Sequence, residues 1–366
     1  VADALSKLIA KHDSAPITVG VKFTTTGLLG MDWILGGGIA RGRLIELSGA
    51  ESSGKSTMGL QSAVLLAKET GKPGLWLDYE FAWEPRYVAD LGGTLDGGAA
   101  SGIAEIALAQ PLTIEEGFKL AISALDGGMV SSAWFDSTGV MQSEASGIAT
   151  TARAIAQGMP KLIRSAAHSG AVVGFISQTR EIISEGFGSS FGPKRQATGG
   201  RAAKHAFSQR VEFTHLKYLK GRGATVTGDE GDSIIGRRVL AKVIKNKVAV
   251  PMRYSEFDLI DGHGFARSRH LVELAIELGI VRKSGSWLTL TFSEHRNVDP
   301  ALDEFAGREV RVQGVGSMAA LLDDPRGTKL MTLLERLVIM RIDAALAAER
   351  TSGVVEEETD ADADGD

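Results

Sequence analysis

The sequence predicts an α/β fold: a P-loop nucleotide-binding core on a mostly parallel twisted sheet, with an N-terminal helix–strand element and a small α+β C-terminal domain. Three observations predict it. Gly49-Ala50-Glu51-Ser52-Ser53-Gly54-Lys55-Ser56 fits the phosphate-cradling pattern Gly-x-x-x-x-Gly-Lys-[Ser/Thr]. An alternating segment, Arg43 to Ser48, precedes it, and a helical one, Lys55 to Thr70, follows, closed by Gly71. Downstream, short apolar runs alternate with helical periods, the pattern of parallel strands covered on both faces.

The chain of 366 residues can bury one large core and a second small domain. Its 43% hydrophobic and 23% charged residues are ordinary for a soluble globular protein. The chain has no cysteine, which excludes disulfides, cysteine-ligated zinc and thiol chemistry. No apolar run approaches the ~18 residues that span a bilayer. Val1 to Asp13 lacks the pattern of a signal peptide, so a cytoplasmic protein with no membrane partner is expected. Seven of the acidic residues lie between Glu356 and Asp366, and without them the net charge of −5 becomes +2. A mildly basic body permits nucleic-acid binding without demanding it.

In order, Ala2 to Lys11 reads as a short amphipathic helix and Ile17 to Phe23 as a strand. They serve equally well packed on their own domain or on a neighbouring subunit. Gly74 to Asp78 and Ile103 to Ala109 read as buried strands. Thr113-Ile114-Glu115-Glu116 is a capping box that opens a helix to about Leu125. Ser132 to Asp136 is a strand ending in an acid, Thr150 to His168 a helix, and Ala171 to Ser177 an apolar strand. No period holds from Thr179 to Arg201, and a loop of that length in a compact domain is a functional candidate. Arg210 to Lys217, Arg238 to Lys245 and Tyr254 to Ile260 follow without helices between them and predict an antiparallel extension of one sheet edge. From about Ala266 the character changes to helix, hairpin and helices through Arg350, and the acidic end reads as disordered.

The P-loop pattern has a physical logic. Glycines let backbone N–H groups converge on one phosphate, and the helix N-terminus adds partial positive charge. Gly49 to Ser56, with Thr57 next in the helix, form the expected phosphate cradle. Lys55 reaches the β- and γ-phosphates and the Ser56 hydroxyl ligates Mg²⁺. Asp136, at the carboxyl end of its strand, shares that rim and suits the metal through water. Asp78 ends a rim strand and Glu80 follows it; Glu80 is the candidate general base and Asp78 its competitor, a choice that spacing leaves open. Gln178 ends the next strand, where its amide can touch a γ-phosphate and report to the long loop.

Taken together, these segments resemble the RecA recombinases, cellular and phage-encoded. The resemblance runs from about Thr26 to Leu290. It is carried by Thr26 to Asp32, Glu51 to Ser56, Asp78-Tyr79-Glu80, Asp136-Ser137, Phe175 to Arg180, Phe191-Gly192, Thr198-Gly199-Gly200 and Lys245-Asn246-Lys247. It implies ATP-dependent strand exchange by a helical homo-oligomeric filament on single-stranded DNA, pairing with homologous duplex DNA, with ATP and Mg²⁺ as cofactors. A hexameric motor and a filament that uses ATP only as a switch are the alternatives. The resemblance makes Glu80, not Asp78, the catalytic carboxylate. It assigns Tyr87 to adenine stacking, Gln178 to γ-phosphate sensing, and Lys245 and Lys247 to ATP across the subunit interface. It places DNA contacts at Arg153 and along the longer loop, at Arg180, Phe191, Lys194, Arg195, Thr198, Gly199, Gly200 and Arg201.

The resemblance also fixes an expected organisation: residues 1–24 as a subunit-docking element, 25–265 as the ATPase core, 266–350 as the C-terminal domain and 351–366 as a disordered acidic tail. The sequence departs from the family pattern at Ala50, Pro160, His205 and Asp261. Proline is common at the first of these, a DNA-binding arginine at the second and aromatics at the last two. The departures mark a divergent member of the phage-borne kind.

Overall fold

A computed structural model describes residues 20–93, 106–144, 148–182, 194–197, 205–224, 230–292 and 309–355. Its first half gives β1 (Phe23–Thr24), α1 (Leu29–Leu35), β2 (Ile39–Ala40), β3 (Leu44–Gly49), α2 (Lys55–Thr70), β4 (Gly74–Asp78) and α3 (Pro85–Asp90). Then come β5 (Ile106–Ala109), α4 (Ile114–Asp126), β6 (Ser132–Asp136), α5 (Ile148–Ser169) and β7 (Val172–Ile182). The strands β8 (Lys194–Ala197), β9 (Gln209–Ala224), β10 (Glu230–Asn246), β11 (Tyr254–Ile260) and β12 (Gly264–Phe265) complete the core. The C-terminal part is α6 (Arg267–Glu277), β13 (Val281–Ser284), β14 (Trp287–Thr291), β15 (Glu309–Gln313), α7 (Val315–Asp323) and α8 (Thr328–Val355).

The main sheet runs β12-β11-β10-β9-β3-β7-β6-β4-β5, with β8 paired to β7. From β9 to β5 all neighbours are parallel; β10, β11 and β12 extend it antiparallel. Adjacent residues of one strand feed opposite layers. Trp76, Trp134 and Ile176 pack with α2, while Leu77, Phe135 and Phe175 pack with α4 and α5. Phe135 and Phe175 stack with ring centroids 4.5 Å apart. The third core, under α6, α7, α8 and the small β13-β14-β15 sheet, seats on Leu29 and Trp33 of α1. Arg253 lies 4.5 Å from the centre of the Trp33 ring and pairs with Glu349, so the far end of α8 returns to the core.

Several sequence expectations shift. The stretch from Thr179 is not wholly irregular: β7 continues to Ile182 and pairs antiparallel with β8, Thr179 opposite Ala197. Lys194 and Arg195 therefore lie on a strand. Helix α8 runs to Val355, five residues into the expected tail. Helix α5 passes through Pro160. The expected N-terminal helix and residues 356–366 lie outside the described residues.

Candidate active site at the carboxyl ends of the central strands

The P-loop leaves β3 through Gly49 and enters α2 at Lys55. Both glycines are required by close approach. A Cβ on Gly49 would sit 2.4 Å from the Phe213 carbonyl oxygen, and one on Gly54, at φ 90°, would sit 3.0 Å from the Phe265 ring. The first turn of α2 points its free N–H groups into the cleft. Lys55 Nζ donates to the Ala50 carbonyl at 2.6 Å and to Ser53 Oγ at 3.3 Å. Burial lowers its pKa, while Asp136, Glu80 and Glu51 act to keep the ammonium charged.

Sheet register brings the acids to the same rim. Asp78 is opposite Asp136 across β4 and β6, and Gly49 is opposite Gln178 across β3 and β7. Because β7 lies between β3 and β6, Gln178 stands between the P-loop and Asp136. The Ser56 hydroxyl bonds to the Asp136 carboxylate. Burial, reinforced by the charges of Glu80 and Asp78, pushes Asp136 up to about 7 against the pull of Ser56 and Lys55. A hydroxyl, a lysine and an electron-rich rim fit a Mg²⁺–nucleotide.

The structure separates the two carboxylates that spacing left open. Asp78 is buried and accepts from the backbone N–H of Glu80 at 3.1 Å, that of Trp83 at 3.2 Å and Gln110 Nε2 at 3.1 Å. It is committed to holding the turn that carries Glu80. Glu80 is exposed, and its Oε1 accepts from Gln178 Nε2 at 3.1 Å and from the Ser137 hydroxyl.

Two adjoining clefts share Ser56 and Tyr87. One of about 250 Å³ is lined by the P-loop, Tyr87, Arg237 and Asp261; the other, of about 310 Å³, by Trp83, Glu80 and Asp136. The Tyr87 hydroxyl meets Thr57 Oγ1 at 2.7 Å, which fixes its ring on the cleft wall. Sequence reasoning missed Arg237. Its guanidinium donates to the Ser52 carbonyl at 3.0 Å and to Asp261 Oδ1 at 2.9 Å, tying β10 to the P-loop. It also missed the grip of Ser137 on Glu80, although Ser137 stands beside Asp136 in a quoted motif.

Lys245 and Lys247 stand apart from both clefts. Lys245 is opposite Arg210, which is opposite Glu46. That level is about 10 Å back along β3 from Gly49, at ~3.3 Å per residue. Both Nζ atoms donate to the His205 carbonyl, at 3.3 and 3.2 Å. Arg153 is exposed near the start of α5. Arg180 lies opposite Gln196, and Lys194 opposite Ile182, in the β7–β8 pair. Phe191, Thr198, Gly199, Gly200 and Arg201 lie outside the described residues.

A sequence model of the RecA N-terminal domain matches residues 6–266. The chain belongs to the RecA family. A protein named RecA from Streptococcus pyogenes serotype M49 (strain NZ131) is 36% identical over 278 residues, 74% of this chain and 69% of the relative. One from Frankia casuarinae (strain DSM 45818 / CECT 9043 / HFP020203 / CcI3) is 35% identical over 278 residues, 74% of each chain. As a RecA-family recombinase, the chain is a DNA-dependent ATPase of homologous recombination and strand exchange. The matched region stops one residue past β12, where the main sheet gives way to α6.

Proposed function

We propose that this RecA-family chain assembles as a helical filament on single-stranded DNA, pairs that strand with homologous duplex, and drives the cycle with ATP and Mg²⁺ at a site completed by the next subunit. The observation that carries this is Glu80, held by Ser137 and Gln178 beside the P-loop. The backbone of Ser53 to Thr57 and Lys55 bind the phosphates, Ser56 and Asp136 hold the metal, and Tyr87 stacks on adenine. Mg²⁺ held there would supply charge neutralisation for the phosphates. Glu80 takes the proton of the attacking water. Gln178 exchanges its contact to Glu80 for one to the γ-phosphate and moves the β7–β8 arm that carries Arg180, Lys194 and Arg195. Phe191, Thr198, Gly199, Gly200, Arg201 and Arg153 are further DNA contacts.

Lys245 and Lys247 complete the neighbour's nucleotide. Their distance from their own P-loop supports this, since they line neither of the two clefts at it. Such a head-to-tail interface propagates as a helix. Of residues 1–24, Phe23 and Thr24 pair with β2 of their own core; docking of the residues before them is supported by β5, the sheet edge, and by the exposed Leu108, Leu112, Leu120 and Met129. The reading places the protein with bacterial DNA, in a cell or a phage-infected host.

The test is ATP turnover with and without single-stranded DNA, with assemblies imaged in parallel. Turnover that rises on DNA together with helical filaments is expected; DNA-independent turnover by closed rings would support the motor alternative. Glu80→Gln should keep ATP and DNA binding and lower turnover by about 10²-fold or more. Unchanged turnover would move the base to another residue.

A further inference from the structure

Glu46 and Arg210 take no part in the site described above. Glu46 sits in the middle of β3 with 2% of its surface exposed, and a carboxylate that deep needs partners. It has two. Arg210 Nε on β9 donates to Oε2 at 2.5 Å, and Ser177 Oγ on β7 donates to Oε1 at 3.0 Å. The register extends the row, because Glu46 is opposite Arg210 and Arg210 is opposite Lys245. Opposed residues of neighbouring strands share a face, so the three form a line across β3, β9 and β10. Two cations placed side by side repel, and Glu46 at the end of the line offsets that. Burial, Lys247 and Arg210 all hold Lys245 below its ordinary range, and Glu46 acts the other way.

The line has a second end. Ser177 Oγ accepts from Thr138 Oγ1 at 3.0 Å. Thr138 follows Ser137, and Ser177 precedes Gln178, the two residues that hold Glu80. Polar contacts and peptide links therefore run from Glu80, on the γ-phosphate side, to Arg210, whose charge acts on Lys245. Their centre, Glu46 and Ser177, is buried, where hydrogen bonds in a chain polarise one another.

We propose that Glu46, through Arg210 and Ser177, is a positioning residue that couples the two nucleotide half-sites of one subunit, setting Lys245 for the neighbour's ATP according to the state of the subunit's own Glu80–Gln178 pair. The proposal rests on the reading that Lys245 acts across the interface. Contiguity alone does not establish coupling, so the test is a double-mutant cycle. Glu46→Gln keeps the shape and removes the charge. Wild type, Glu46→Gln, Lys245→Ala and the double variant are compared as filaments on single-stranded DNA, for turnover and its cooperativity in ATP. Dilute subunits are compared for binding of a fluorescent ATP analogue.

Dilute Glu46→Gln should bind the analogue as wild type does. Its filaments should lose turnover about tenfold, within the range for coupled neighbours, and lose cooperativity. The double variant should be no slower than Lys245→Ala alone. Penalties that multiply would overturn the proposal, because Glu46 would then act independently of Lys245. Full turnover by Lys245→Ala would instead remove the trans-lysine reading, so the two failures are distinct. Ser177→Ala takes out two hydrogen bonds, one to the Glu46 carboxylate and one from Thr138, and leaves the ion pair, so it covers the case in which Glu46→Gln does not fold. Reduced cooperativity is expected there, and unchanged cooperativity overturns the proposal.

Discussion

Asp78 and Glu80 differ by two positions and by one methylene, yet the fold gives them opposite tasks. Asp78 is buried in the cleft wall with three donors that occupy it; Glu80 is exposed in the cleft, with two donors that aim it. Asp78→Ala should therefore cost about 2–4 kcal/mol in thermal unfolding, because buried N–H groups lose their acceptor. Turnover should fall about 10²-fold through misplacement of Glu80. Lost turnover at unchanged stability would make Asp78 itself the proton acceptor. His270 carries a second residue-scale prediction. It is buried, its Nε2 accepts from the Gly30 N–H at 3.1 Å, and burial pulls its pKa from 6.5 down to about 4. The unfolded chain takes up that proton first as pH falls. The contribution is thus present above pH 6.5 and is lost toward pH 4, by at most about 3 kcal/mol. Asp32, pushed up to about 6 by burial, acts oppositely, its share being lost as pH rises through 6. The difference between wild type and His270→Gln isolates the histidine: the variant should lose less stability between pH 6.5 and 4. Parallel pH profiles would show that His270 titrates alike in both states.

Elements with strong local signals were legible to the residue. The bounds of α2, β4 and β6 match the sequence reading, because each is closed by glycine, a charged end or an apolar run. Thr113 accepts from the Glu116 N–H as its capping box requires, and Glu116 reaches back to the Leu112 N–H. Helices α1 and α3 went unread, being too short, at seven and six residues, to show a period. The β7–β8 pair was also missed, since strand pairing across a glycine-rich loop leaves no local trace. Arg237 meets Ser52 across 185 residues, a contact that depends wholly on sheet register. Packing between elements was equally hidden. A Cβ on Gly158 of α5 would fall 1.8 Å from Phe118 of α4. Gly158→Ala should destabilise by about 2 kcal/mol in denaturant unfolding through overpacking. Helix propensity alone predicts a gain of ~1 kcal/mol, so the sign of the change decides between the two.

At the scale of the molecule, the order of strands makes the site. Putting β7 between β3 and β6 places Gln178 between the P-loop and Asp136, and the antiparallel edge carries Lys245 and Lys247 away from both. The sequence names all of these residues, and the resemblance implies that one subunit holds two half-sites facing different nucleotides; the strand order that separates them was not legible in it. That division is the central claim. Its most direct measurement mixes two variants, Lys55→Ala and Lys245→Ala/Lys247→Ala, on single-stranded DNA. Each alone should be nearly inactive, one lacking the P-loop lysine and the other the trans lysines. In a head-to-tail filament mixed one to one, about a quarter of the interfaces join an intact P-loop to intact lysines, and turnover should recover accordingly. Mixed filaments that assemble on DNA and remain as inactive as either parent would contradict the account.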